Sequence, residues 1–253
     1  MSGLLLRLAG PMQSWGDHST FSVRDTRPYP TRSGLIGLFA GVLGRHRGEP
    51  IDDLADLAIT IRVDRPGTLM QDFHTVGGGL PREQTTPTAE GGRRLPGTGT
   101  IVSRRNYLAD AVFTVAVTGP QPVTEQVAQA LDNPAWAPYL GRRSCPAETP
   151  LLLRSAVDDP VADLHQLVPL ARRKPSSDDS VPVDFILESP PSGQDNTSRL
   201  AVNDLPIDFH PHRRHYRSRS IWVTSQPLPA RLFVDPGIDY LRALKKYLEG
   251  VPA

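Results

Sequence analysis

Three groups of side chains in this chain have the types and spacing that chemistry needs. His74 lies close to Asp72 and, across a hairpin, to Tyr107, so it is placed to act as a general acid or base. With arginines on the phosphate, that is the equipment of a metal-independent ribonuclease; the plainer reading is a histidine bonded to backbone or to RNA. Cys145 follows Arg142, Arg143 and Ser144, whose charge would lower a thiol pKa. No histidine near it in sequence offers the base that a nucleophile needs, so a packed free cysteine is expected. Asp208, His210 and His212 would share one face of a strand, but His215 would not, and Arg213 and Arg214 would repel a cation. A phosphate-facing patch or plain surface is expected there, and no metal site or other cofactor.

The charge is local. From Gly91 to Ala109 the chain carries Arg93, Arg94, Arg104 and Arg105 and no acidic residue, a segment suited to a polyanion. It closes a long Gly/Thr/Pro/Arg insert that begins near Thr75 and ends on the β-branched run Ala111–Val117. A core strand is therefore expected to carry a basic arm, the alternative being a solvated loop.

Over the 253 residues, 28 basic side chains face 27 acidic ones, which leaves a net charge of +1 and excludes a general nucleic-acid coat. Lysine appears only at 174, 245 and 246, so arginine, whose planar fork pairs with phosphate and stacks on bases, supplies the other 25 cations. The same bias follows from a high-GC genome. A single cysteine excludes an internal disulfide, and no apolar run approaches a membrane span, so a cytoplasmic protein is expected.

The positioning elements read in order. Gly3–Ala9 predicts a buried first strand ending at Gly10-Pro11, with Gln13 and Trp15 in the loop beyond it. Trp15 is a stacking platform or a cap on the core. Thr31, Arg32 and Ser33 precede an apolar helix bearing Gly34, Gly37, Gly41 and Gly44. Thr31 or Ser33 would cap it, its first amides with Arg32 could hold a phosphate, and the glycines imply close approach to a sheet. Leu57–Asp64 and the run from Ala111 predict the second and third strands, Thr124–Leu131 a helix capped by Thr124, and Leu151–Val157 a fourth strand. The order β-α-β-β-α-β is the split pattern of a ferredoxin-like α+β domain over residues 1–157. Residues 158–253 form a smaller β-rich region, with strands at Val181–Glu188 and Ser218–Thr224 and a final amphipathic helix whose apolar side is Ile238, Leu241, Leu244 and Leu248.

Five blocks, LRLAGPMQSWG, PTRSGLIGL, DFHTV, YLADAVFTVAV and YLGRRSCP, resemble in order the CasD family of the type I-E CRISPR complex Cascade. The resemblance implies a RAMP-type fold whose insert, about residues 75–106, is a β-hairpin thumb. It implies a non-catalytic subunit that caps the 5′ handle of the CRISPR RNA, beside the backbone and large subunits, with target DNA met only through the complex. RNA contact is then carried onto Gln13, Trp15, Thr31, Arg32, Ser33, His74, Arg105, Tyr107, Arg142, Arg143 and Ser144. Relatives of another subtype cut the repeat themselves, which keeps an endoribonuclease as the second reading.

Overall fold

The run GLLLRLA forms β1 (Gly3–Ala9), and all of it is buried because helices cover both faces of the sheet in which it lies. The computed structural model describes residues 3–17, 22–88, 90–95, 97, 99–173, 175, 180–191, 197–210 and 214–250. After β1 come β2 (Met12–Gln13), β3 (Val23–Arg24), α1 (Arg32–Val42), β4 (Ala58–Arg65), β5 (Thr68–Val76), β6 (Ile101–Ala109), β7 (Val112–Thr118) and α2 (Gln121–Asp132). The rest of the chain supplies β8 (Leu152–Val157), α3 (Pro160–Gln166), β9 (Leu170–Ala171), β10 (Val181–Leu187), β11 (Thr197–Asp208), β12 (His215–Leu228), β13 (Phe233–Val234) and α4 (Ile238–Leu248).

Seven strands make one antiparallel sheet in the order β11-β12-β10-β4-β7-β1-β8. The strands expected from the first 157 residues are adjacent in it, and the later ones extend the same sheet, since β10 pairs with β4. Alternation along β1 and β7 sorts two cores. Leu4, Leu6, Phe113 and Val115 meet α1 and α2, whereas Leu5 and Ala116 meet α3 and α4.

The second core is threaded by a buried ion pair. Arg62 and Asp64 are both fully buried, with Arg62 Nε donating to Asp64 Oδ1 at 2.6 Å and the Thr114 hydroxyl donating to Asp64 Oδ2 at 2.6 Å. Arg62 also donates to the carbonyls of Leu164, Val168 and Pro169, which lie at and beyond the end of α3. These carbonyls would otherwise be orphaned under the sheet.

The arm continues the β4–β7 ladder. β4 passes to β5 through Gly67 (φ +74°), where a Cβ would stand 2.7 Å from the Ala109 carbonyl, and β6 passes to β7 through Asp110. β5 and β6 pair without a break from Thr68–Ala109 to Val76–Ile101, so the hairpin's first leg begins seven residues before Thr75. β6 is flanked on its other edge by β2 and β3.

Several local expectations need correction. Thr31, one of the two expected caps, is the cap of α1, accepting from the Gly34 amide at 3.3 Å, but Arg32 and Ser33 lie inside the helix instead of before it. Thr124 lies inside α2, where its hydroxyl bonds back to the Gln121 carbonyl; Pro122, with φ already helical, lets the helix start earlier. α4 buries Tyr240, Leu244 and Tyr247, so Ile238, Leu241 and Leu248 of the expected apolar side are exposed. Larger amphipathic rings displaced the aliphatic side chains from the contact. No helix among the described residues is long and apolar enough to cross a membrane.

Arg62→Ala would strand the Asp64 carboxylate and three carbonyls in the core. A loss of about 3–5 kcal/mol is expected in the denaturant-unfolding free energy, with Asp64→Asn milder.

Candidate nucleic-acid interface

Beyond β1 the chain is pinned from within. Gln13 is fully buried; its side-chain nitrogen donates to the Leu8 carbonyl at 3.0 Å and the Ala111 carbonyl at 2.8 Å, and its oxygen accepts the Trp15 indole N–H at 3.0 Å. Trp15 is 1% exposed and lies against the start of α1, where a Cβ at Gly34 would stand 2.8 Å from its ring. From the other side Gly141 (φ +84°) comes so close that a Cβ would be 1.7 Å from the Ser14 carbonyl. Neither Gln13 nor Trp15 offers surface to a ligand; Trp15 is the cap on the core.

The N-terminus of α1 is already occupied. The Arg32 amide donates to Asp204 Oδ2 at 2.7 Å, so a carboxylate stands where a phosphate was expected. The Arg32 guanidinium is buried, reaching both Glu188 oxygens at 2.8 Å and the Ala55 carbonyl at 2.7 Å. Arg219 completes a neutral four-residue cluster through Asp204 Oδ1 at 2.6 Å and Glu188 Oε1 at 2.9 Å. Arg32 thus joins α1 to β10, β11 and β12 and has no free edge for RNA.

The loop after Leu140 divides its arginines. Arg142 lies 4.7 Å from the centre of the Tyr107 ring and donates to the carbonyls of Arg24 and Asp25 at 3.2 and 3.3 Å. Tyr107 is buried beneath it, so this pair builds the loop's support. Arg143 is exposed and turns toward a cleft, and Ser144 is exposed beside it. Cys145 is buried, and desolvation pushes its thiol pKa up, opposing the thiolate that a nucleophile requires.

That cleft has a volume of about 1020 Å³. Its floor is the glycine face of α1, Gly34, Gly37 and Gly41, with Thr31 and Ser33 at one end. These glycines therefore face Trp15, the Phe209 ring and open space, not a sheet in close contact. One wall carries Arg143, Tyr139 and Trp136; the others carry His46 and Arg47 from the loop after α1, and Arg214 and Tyr216 at the start of β12. Trp136 is 44% exposed and meets the His46 ring edge-on at 5.1 Å. Arg47, Arg143 and Arg214 make no ion pair among the described residues, whereas Arg45, also at the cleft, is held by Asp53. Unpaired arginines around exposed aromatic rings are what a single-stranded polyanion with π-faces would meet.

The hairpin is a separate surface. His74 faces Ser103, and Tyr107 faces Met70, which corrects the expected neighbourhood of His74 and Tyr107. His74 Nδ1 lies 3.2 Å from Asp72 Oδ2, and Arg105, opposite Asp72, donates to the Ser103 hydroxyl at 3.2 Å. Arg93 is directed onto the Thr85 carbonyl, so part of the arm's charge holds its own tip together. His215 pairs with Asp208 at 2.7 Å; His212 lies outside the described residues, and among those described no three side chains form a metal-ligating group.

Of the residues assigned from sequence, Ser33, Arg143 and the buried Thr31 line the cleft, and Ser144 is exposed outside its lining. Gln13, Trp15, Arg32, Tyr107 and Arg142 hold its walls from behind, and His74 and Arg105 stand on the hairpin. His46, Arg47 and Trp136 escaped sequence reading, although Arg45-His46-Arg47 just past a helix end was a legible basic signal.

The model of the CRISPR-associated protein family Cas_Cas5 matches residues 3–221, and the chain belongs to that family. More particularly, it is 38% identical over 170 residues to the CRISPR system Cascade subunit CasD of Escherichia coli strain K12, covering 60% of this chain and 70% of that one. Among solved structures it resembles a chain of a CRISPR RNA-guided surveillance complex, at 51% identity and a TM-score of 0.89 over 98% of this chain and 99% of that one. A Cas protein crystal structure matches at 32% identity and a TM-score of 0.62, over 93% and 98% of the two chains. The expected CasD resemblance is borne out.

Two outcomes test this geometry. Gly141→Ala must move the Ser14 carbonyl and is expected to cost at least about 2 kcal/mol of stability, seen as a lowered melting temperature. Cys145 should resist iodoacetamide at neutral pH in the folded chain and react fully once denaturant is added; native-state labelling at the free-thiol rate would contradict its burial.

Proposed function

We propose that the chain is a non-catalytic subunit of a Cascade-type surveillance complex that holds the 5′ handle of the CRISPR RNA in the cleft floored by α1. The observation that carries the reading is the convergence of Arg47, Arg143 and Arg214 with exposed Trp136 around one cleft. The family and the surveillance-complex relative supply the RNA and the setting. In this reading residues 1–157 are a ferredoxin-like RAMP unit, an assignment that the adjacent order β4-β7-β1-β8 supports, and residues 158–253 are its C-terminal extension. The β5–β6 hairpin serves as the thumb, crossing the guide with Arg105 and His74 on one face. Backbone and large subunits are the protein neighbours, target DNA is met only through the guide, and the complex works in the cytoplasm.

The mechanism is holding. Arginine forks bind phosphates and ribose hydroxyls, aromatic faces take splayed bases, and base pairing by the guide reads the target. His74 has one carboxylate neighbour and stands on the hairpin, outside the cleft, which favours the holding role over the endoribonuclease.

Replacing both Arg143 and Arg214 with Ala should leave the fold intact and reduce guide retention on a purified complex. The dependence of log affinity on log salt should become shallower by roughly 0.7 for each phosphate contact removed. His74→Ala should leave guide length unchanged on a denaturing gel. Normal RNA content in the double variant would remove the cleft from the RNA path, and longer, unprocessed RNA with His74→Ala would establish the nuclease reading.

A further inference from the structure

The cleft is not uniformly built for phosphate. Over the middle of α1 it is unfilled. A Cβ added at Gly41 would meet nothing within 4 Å, and one at Gly37 would meet only the Phe209 ring at 3.7 Å. Intramolecular packing therefore does not demand glycine at either position, unlike Gly34, which lies under Trp15. An alanine at either would favour the helix, so two glycines there weaken α1 without a contact inside the chain to account for them.

The wall opposite is held in place. Gly44 (φ +76°) ends α1 where a Cβ would come within 2.9 Å of the Ala135 methyl, and the Ala135 amide donates to the Val42 carbonyl at 2.9 Å. This docks the segment leading to Trp136 on the end of the helix. Trp136 is braced edge-on by His46, with nearly half of its surface open. Phe209, Tyr216, Arg143 and Arg214 line the same cleft. Open space over bare helix backbone, beside a braced and half-exposed indole and with arginines among the same lining residues, fits a planar heterocycle whose phosphates meet those arginines.

We propose that this part of the cleft is a slot for one unstacked nucleobase, laid over Gly37 and Gly41 and stacked on Trp136, with its flanking phosphates on Arg143 and Arg214. The inference rests on the RNA-holding reading and adds which part of the RNA the glycine floor receives. Glycine here is a size limit: a side chain at 41 or 37 occupies the volume of the base.

The test uses complexes assembled around guides carrying 2-aminopurine at one handle position at a time. One position should be strongly quenched. Trp136→Ala should relieve that quenching and weaken guide binding by roughly 10- to 100-fold, the range of one lost base stack. Gly41→Val should expel the same base while the free chain melts at the wild-type temperature, because the site is open. Gly41→Ala should have an intermediate effect. Quenching and affinity unchanged in Gly41→Val would overturn the slot while leaving RNA holding intact. Failure of the wild-type chain to retain any guide would overturn both.

Discussion

The buried carboxamide of Gln13 is the contact on which the rest of the arrangement depends. Its nitrogen closes the end of the β1–β7 ladder by bonding Leu8 and Ala111, and its oxygen fixes the Trp15 indole. Trp15 then becomes a flat surface against which Gly34 and Gly141 can approach, bringing α1 and the Arg143 loop to the two sides of one cleft. A buried amide with all three bonds satisfied imposes a geometry that an apolar side chain of equal size would not. The cleft exists because a polar group was placed in the core to aim a ring.

Charge follows the same division. Arg62, Arg32 and Arg219 are neutralised by Asp64, Glu188 and Asp204 inside the protein, where they tie helices to strands. Arg47, Arg143 and Arg214 border the cleft, outside those pairs. A nearly neutral chain can present a local positive field where cations cluster: Arg45, Arg47, Arg143 and Arg214 line the cleft with Glu49 as the one carboxylate among its lining residues. Such a local excess of arginine over carboxylate is compatible with a net charge of +1 over the whole chain.

The six elements β1, α1, β4, β7, α2 and β8 of the first 157 residues were legible because each carries its own period and is punctuated by Gly-Pro, Asn-Pro or a cap, whereas the two-residue strands β2 and β3 are too short to carry one. The β11 strand and α3 were not, since β11 mixes polar and apolar residues along a half-exposed edge and α3 is seven residues long. Side-chain roles were legible only where they were local. Arg32 looked like a phosphate ligand because Glu188 lies 156 positions away in sequence, and nothing near Arg32 announces it. Arg142 and Arg143 are adjacent and identical in type, yet one stacks on Tyr107 and the other reaches the cleft, in a loop that follows a left-handed turn at Gly141. Trp136 carried no pattern at all, because exposure of a lone aromatic is settled by the packing of its neighbours.

Whether the guide's handle runs through the α1 cleft is decided by ultraviolet crosslinking of an assembled complex followed by peptide mass spectrometry. RNA adducts are expected on peptides containing Trp136 and Tyr139, Arg143, and Tyr216, with none on the buried Trp15. Adducts confined to other surfaces, with the cleft peptides unmodified, would contradict it.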